Sequence, residues 1–399
     1  MLDQLRSGQL SFGRSTGIIQ EFEREFATYH GVPYCISTHC GTGALHAAFF
    51  ALGLAPGDEV LAPAYTHLAS VMPMLHANLI PVLCDVDEET GNLDVEDAER
   101  RKTARTRAIV VTHEYGNVCD MDRVNELARK HNLLVVEDAS HAHGATYKGR
   151  LAGALGDVAC FSLQSHKIIT AGEGGALITR HSRIAERAAL LAHFREKPAW
   201  ASDTYAPFFE TGYGLKNRLH PLGAALVLTQ LRKLPQLIAQ RDANWTFFEE
   251  RLRNIKGVRA LPLQPGVTRG GYFRFVLKCV PEELDHLPIE TYIRALRAEG
   301  VAEVMPGSMA KPLHLTPLFQ TVHDNMYPDG WPRRGAHVSQ ERVYKPGDFP
   351  RAERFSAMTL QFPAFTEPSD HIIEAYCQAM EKVAEQVGSL LAQSAAAAG

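Results

Sequence analysis

Between residues 57 and 180 the chain alternates short, almost unbroken apolar runs with stretches of helical spacing, and few folds accept that rhythm. "DEVLAP" (58–63), "IPVLCDV" (80–86), "TRAIVVTH" (106–113) and "LLVVEDA" (133–139) read as strands buried on both faces. "MDRVNELARKHN" (121–132), with apolar residues at helical spacing, separates the last two. "GDVACFSL" and "GGALITR" add two further strands. Such alternation predicts a parallel sheet with helices on both faces, whose site lies at the carboxyl ends of the strands. From about 182 to 255 the pattern is mainly helical. "GGYFRFVLKCV" (270–280) then opens a smaller α/β unit, and "LLAQSAAAAG" reads as a frayed tail. The predicted division is a large domain over 1–255, a small one over 256–390 and a disordered tail over 391–399.

The strand ends carry the chemistry. Tyr65, Thr66 and His67 follow the first run, and His113 and Tyr115 the third. Asp138, His141 and His143 follow the fourth, and His166 and Lys167 the fifth. Each alone is weak, because loops are polar and a lone lysine after a strand is usually a surface residue. Together they suggest a lysine amine that attacks an aldehyde, as pyridoxal 5'-phosphate offers. Such a site needs a carboxylate for the pyridine nitrogen, and Asp138 is placed for it. It needs a phosphate cradle, and the turn "HCGTGAL" (39–45), with Gly41, Thr42 and Gly43, leads into an apolar helix. Ser162 adds a hydroxyl, and "GEGG" after Lys167 lets backbone approach closely. The bland readings are a helix cap for Asp138 and plain tight turns for the glycines.

Bulk properties exclude other classes. A net charge of -4 without a basic block argues against nucleic-acid binding. No run of about 18 apolar residues predicts a membrane span, and the start lacks a signal-peptide core. The seven scattered cysteines form no CxxC pair, so neither zinc nor a disulfide frame is expected, and a cytoplasmic protein is.

These motifs resemble the DegT/DnrJ/StrS-type aminotransferases, over about residues 12 to 385. The segments "VVEDASHAHGATYKG" and "GDVACFSLQSHKIITAGEGG" carry the resemblance most specifically, and "KPLHLTPLF" and "FPRAERF" resemble the C-terminal signatures. The resemblance implies a fold type I pyridoxal-phosphate transferase, with a mostly parallel seven-stranded sheet and a smaller C-terminal α/β domain. It implies transfer of an amino group from glutamate or glutamine to a keto-sugar, nucleotide-linked in many members, or to a keto-cyclitol, in secondary-metabolite or glycan biosynthesis. A homodimer with shared active sites is also implied. Lys167 falls at the Schiff-base lysine, Ser162 at a phosphate-binding serine, Asp138 at the pyridinium partner, and Gly41, Thr42 and Gly43 at the phosphate turn. His67 stands where an aromatic side chain stacks on the ring.

Two departures stand out, at His141 and at Lys216. His141 replaces a common glutamine near the cofactor's 3'-hydroxyl. "VVTHEYGNVCDMD" resembles the block usually seen as histidine, an apolar residue, an aromatic and glycine, ending in Asp-Met-Asp. In "GLKNRLHPL", Lys216 stands where an asparagine reaches the neighbouring subunit's phosphate. Gln164 hints at cyclitol or aminohydroxybenzoate chemistry. The turn-rich 320–350 segment, with Trp331, Arg333 and Arg334, is expected either to cover the acceptor or to be a surface excursion. The alternatives are a sugar dehydratase, whose relatives carry histidine in place of the lysine, a non-catalytic regulatory protein of this fold, and chemistry on an amino acid alone. His166 is a neighbour of Lys167 and does not replace it, which speaks against the dehydratase.

Overall fold

The computed structural model describes residues 1–11, 17–193, 197–211, 214–307, 311–320 and 343–398. Most of the turn-rich segment, including Trp331, Arg333 and Arg334, lies outside the described residues.

The large sheet contains β1 (Tyr34–Thr38), β2 (Glu59–Pro63), β3 (Ile80–Cys84), β4 (Thr106–Thr112), β5 (Leu134–Asp138), β6 (Val158–Ser162) and β7 (Gly175–Thr179). Their order is β1-β7-β6-β5-β4-β2-β3. The neighbours among β2 to β6 run parallel, while β7 lies antiparallel between β1 and β6. The mostly parallel seven-stranded sheet is therefore present. Helices α1 (Ile18–His30), α2 (Gly41–Leu52), α3 (Met121–His131), α4 (Ser182–Ala192) and α5 (Pro221–Leu231) cover it.

Strand periodicity sorts the core into two layers, because successive side chains point to opposite faces. Leu61, Ile109, Val111, Ala159, Phe161, Ala176 and Ile178 pack with Phe22 and Phe26 of α1 and Val124 and Leu127 of α3. Their neighbours Val60, Ala62, Ala108, Val110, Val158, Cys160 and Leu177 pack with Leu45, Ala48 and Phe49 of α2 and Ala185 and Ala188 of α4. The helical stretch expected over 182–255 includes α5 and α6 (Leu234–Leu252), which are separated at Arg232 and Lys233 with a proline in the first turn of α6.

The second sheet, β8 (Val258–Ala260), β9 (Phe275–Cys279), β10 (Met305–Pro306) and β11 (Thr359–Phe362), is antiparallel in the order β8-β9-β11-β10. Phe275, Leu277, Leu360 and Phe362 pack with Trp245 and Phe248 of α6 and with Ile373 and Met380 of α7 (Asp370–Glu385). Leu313, Phe319, Phe349 and Phe355 join the core of the large sheet instead. Where a frayed tail was expected, Val387–Ala398 is helical, as its alanines favour.

The end of β5 separates structure from chemistry. Adjacent residues face opposite ways, so Glu137 and Asp138 part company. Glu137 is fully buried and accepts from the backbone N–H groups of Gly153, Leu155 and Gly156 at 2.8, 2.8 and 2.6 Å. The N–H of Cys119 donates to His113 Nδ1 at 3.2 Å, so the ring's proton sits on Nε2 and donates to Glu137 at 2.9 Å. Burial alone raises the Glu137 carboxyl, but His113 and the backbone N–H groups outweigh it and hold it below the usual range. Glu137→Gln is expected to cost about 3–5 kcal/mol at neutral pH, because it breaks a buried charged network. The sign follows from the lowered value. The contribution is full above the unfolded carboxylate value of about 4.3 and is lost as pH falls through the lower folded value. Urea unfolding of both proteins across that range checks it, and a gap that widens towards acid contradicts the assignment.

Candidate active site

A cavity of about 450 Å³ opens at the carboxyl edge of the large sheet, lined from both sheets. The expected residues Gly41, Thr42, His67, Asp138, His141, Ser162 and Lys167 all line it.

The N-terminus of α2 forms one wall. Gly41 and Thr42 occupy its first turn, where backbone N–H groups have no intrahelical acceptor. Gly43 does not line the cavity, and its N–H donates to Cys40 Sγ at 3.2 Å. The glycines here follow from crowding. A Cβ on Gly41 falls 2.9 Å from Ser162 Cβ, and one on Gly175 falls 2.3 Å from the Cys40 carbonyl oxygen. Because Gly175 pairs with both Thr38 and Ser162, the start of β7 holds the ends of β1 and β6 together beneath α2.

Asp138 is 3% exposed. It accepts from Ser70 Oγ at 2.6 Å and from the Ser140 N–H at 3.1 Å. Ser70 also meets Thr66 Oγ1 at 2.9 Å, and Thr66 meets Thr112 at 2.9 Å. This hydroxyl cluster orients a buried carboxylate without neutralising it.

Lys167 Nζ lies 3.7 Å from the centre of the Phe273 ring. Burial pushes its amine down to about 8, against the pull of Asp138 and Glu114. His67 accepts the Ala69 N–H through Nδ1 at 3.2 Å, so its orientation is fixed beside the cavity. His141 is stacked on Phe273, with ring centres 4.1 Å apart and planes 6° apart.

Other edge residues belong to the wall. His113 supports Glu137, and Tyr65 meets the Tyr115 hydroxyl at 2.7 Å. His143 is buried and lies 5.3 Å from Phe161. Lys216 does not line the cavity. It is exposed and bridges backbone to backbone with His193. Among the lining residues that the sequence reading did not single out are Glu114, Phe273, Arg274 and Gln361. Arg274 interrupting the run Tyr272-Phe273-Arg274-Phe275 was a signal for one of them. Glu114, a charge where an apolar residue is usual, was another.

A phosphorylated pyridine aldehyde fits these groups. Lys167 offers an amine without a hydrogen bond among the described residues, Asp138 a buried carboxylate, and α2 with Ser162 an anion-binding turn. The fold and this set of groups define a fold type I pyridoxal-phosphate-dependent transferase.

The comparisons give the family. The chain matches the DegT/DnrJ/EryC1/StrS aminotransferase family over residues 1–381 and belongs to it. It is a pyridoxal-phosphate-dependent aminotransferase. It is 41% identical over 237 residues to GDP-perosamine synthase of Caulobacter vibrioides, a match covering 59% of this chain and 62% of that protein. It is 36% identical over 326 residues to the L-glutamine:2-deoxy-scyllo-inosose aminotransferase of Streptoalloteichus tenebrarius, covering 79% of this chain and 76% of that one. The crystal structure of an aminotransferase from Psychrobacter cryohalolentis superimposes with a TM-score of 0.82 at 27% identity, covering 97% of this chain and 96% of that chain. Among the described residues no helix is long and apolar enough to cross a membrane.

Proposed function

We propose that this enzyme moves an amino group from glutamate or glutamine to a keto-sugar or keto-cyclitol. The carrying observation is the placement of Lys167, an amine held near neutrality in the cavity that also contains Asp138 and the first turn of α2. Relatives named for a nucleotide-linked amino sugar and for an inosose support the acceptor class.

When bound, the cofactor supplies an aldehyde for amines and a ring that delocalises the electron pair left by a departing proton. Residues of this chain do the rest. Nζ of Lys167 would take the proton from the donor's amine-bearing carbon and return it to the carbon on the far side of the nitrogen, two bonds away. Asp138, oriented by Ser70 and Ser140, keeps a proton on the ring nitrogen. The N–H groups of Gly41 and Thr42, with Ser162 Oγ, hold the phosphate. Phe273 and His67 bound the ring's surroundings. Arg274, without a hydrogen bond to another described side chain, is a cavity cation suited to the donor's carboxylate. Lys216, exposed on the surface, is assigned to the phosphate of a second copy's cofactor in a homodimer.

The test is a visible spectrum of the protein with pyridoxal phosphate, followed by L-glutamate or L-glutamine. Conversion of the cofactor to its amine form, reversed by a nucleotide-linked keto-sugar or an inosose, is the expected result. A cofactor-loaded protein that transfers with no donor overturns the proposal in favour of a dehydratase or another reaction.

A further inference from the structure

Two residues of the resembled blocks meet in space. His141 stands where the resembled block commonly has glutamine, and Glu114 where it usually has an apolar residue. Both line the cavity, and Glu114 Oε1 lies 3.6 Å from His141 Nδ1. We propose that Glu114 and His141 work as one unit, in which Glu114 is a positioning residue that makes His141 present Nε2–H to the cofactor cavity.

The geometry leaves the imidazole little choice. Phe273 stacks on it with ring centres 4.1 Å apart, and Tyr115 lies nearly parallel with its ring centre 6.0 Å away. Its polar contacts come at the ring nitrogens on its edges. On one edge Nδ1 accepts the Tyr115 N–H at 3.4 Å. A neutral ring then carries its proton on Nε2. Tyr115 has a φ of 53°, a left-handed backbone uncommon outside glycine. That turn aims its N–H at His141 and places Glu114 beside the same nitrogen.

Glu114 decides whether this tautomer persists. As an acid it turns its O–H toward Nδ1, in agreement with the Tyr115 N–H. As a carboxylate it draws a second proton onto Nδ1, which then faces the Tyr115 N–H donor to donor. The charged and titratable groups around the pair are Asp138 on β5, Lys167 after β6, Arg274 before β9, His67 after β2, and His143. Burial, with Asp138 next, pushes Glu114 up to about 8, while Lys167 opposes. Burial, then Lys167, His67, His143 and Arg274, presses His141 well below its usual value. Both groups are therefore neutral at pH 7. Glu114 Oε2, buried without a hydrogen-bond partner among the described residues, fits an uncharged acid better than a carboxylate.

The inference rests on the cofactor site proposed above, and a double-mutant cycle separates the two. Full-length Glu114→Leu, Glu114→Gln, His141→Gln and the Glu114→Leu/His141→Gln double variant are loaded with pyridoxal phosphate. The readouts are cofactor affinity and the pH midpoint of the bound cofactor's visible spectrum, with thermal midpoints of the apoproteins as a folding control. Glu114→Leu and His141→Gln are each expected to weaken binding about tenfold or to move the midpoint by about one pH unit. The double variant, apolar residue and amide together, should recover most of that loss. Glu114→Gln, which still offers a donor to Nδ1, should stay within about threefold of the wild type. Additive losses in the double variant, or an unchanged spectrum in Glu114→Leu, overturn the pair. If Glu114→Leu does not fold, Glu114→Val, an apolar side chain of smaller volume, takes its place in the cycle. A wild type without a Lys167-dependent band sinks the site itself, whereas an intact band with additive variants sinks only the pairing.

Discussion

Lys167→Ala is expected to remove the cofactor's lysine-dependent visible band and to lower amino transfer by at least about 10³-fold. The size of the effect follows from what the side chain has to itself. Among the described residues it is the only lysine lining the cavity, and it faces the Phe273 ring without a salt bridge or hydrogen bond. Burial is the first cause of its lowered value of about 8. At pH 7 roughly a tenth of such an amine is neutral, against fewer than about one in a thousand for an unperturbed lysine at about 10.4. The rate at which the apoprotein captures pyridoxal phosphate should therefore climb from pH 6 and level off above about 8. Lys167→Arg, charged at every pH, should not capture it. Stopped-flow absorbance against pH is the check. A Lys167→Ala protein that keeps the band would place the reactive amine elsewhere. A capture rate that still rises steeply at pH 10 would show that burial does not tune Lys167.

The fold was legible where burial makes sequence simple. Strands enclosed on both faces read as unbroken apolar runs, so β2 to β7 stood out. β1 did not, because "YCIST" is short and ends in Ser37 and Thr38, which are buried polar residues. Ser37 is tolerable inside only because its hydroxyl donates to Glu23 at 2.7 Å, a partner in α1 that no local pattern announces. The site divides the same way. Asp138, Ser162 and Lys167 follow strand ends, and a parallel sheet brings strand ends to one edge whatever the loops do. Gln361 on β11 and Phe273 and Arg274 just before β9 reach that edge from the second sheet's side, more than 100 residues further on in the chain. Only packing between the two sheets places them there. His113 and Glu114 illustrate the limit within a single turn. The more conspicuous histidine turned inward to Glu137, and the glutamate beside it faces the cavity.

The second large effect belongs to Asp138, and two substitutions separate its charge from its shape. Asp138→Asn keeps one oxygen acceptor, for Ser70, but puts an amide NH2 in place of the other oxygen and removes the negative charge, and Asp138→Ala removes both oxygens and the charge. Each should lower amino transfer by about 10²–10³-fold, the usual loss when a preorganised charge at a reacting system is deleted. They should differ in stability, since Ala leaves the buried Ser70 hydroxyl without its 2.6 Å partner while Asn does not. A shared kinetic loss with unequal unfolding midpoints would therefore assign the effect to charge. The field of Asp138 makes a further prediction that a merely structural role does not. Asp138 raises the Lys167 amine and the Glu114 carboxyl. With that charge gone, Lys167 should lose its proton more readily, and the pH profile of cofactor capture should move below about 8. Asp138→Asn would thus capture cofactor at lower pH than the wild type and yet fail to use it. If the profile instead stays in place while transfer is lost, Asp138 acts only on the ring nitrogen. If transfer survives in Asp138→Asn, the carboxylate is a structural acceptor for Ser70, and the ring nitrogen needs another partner.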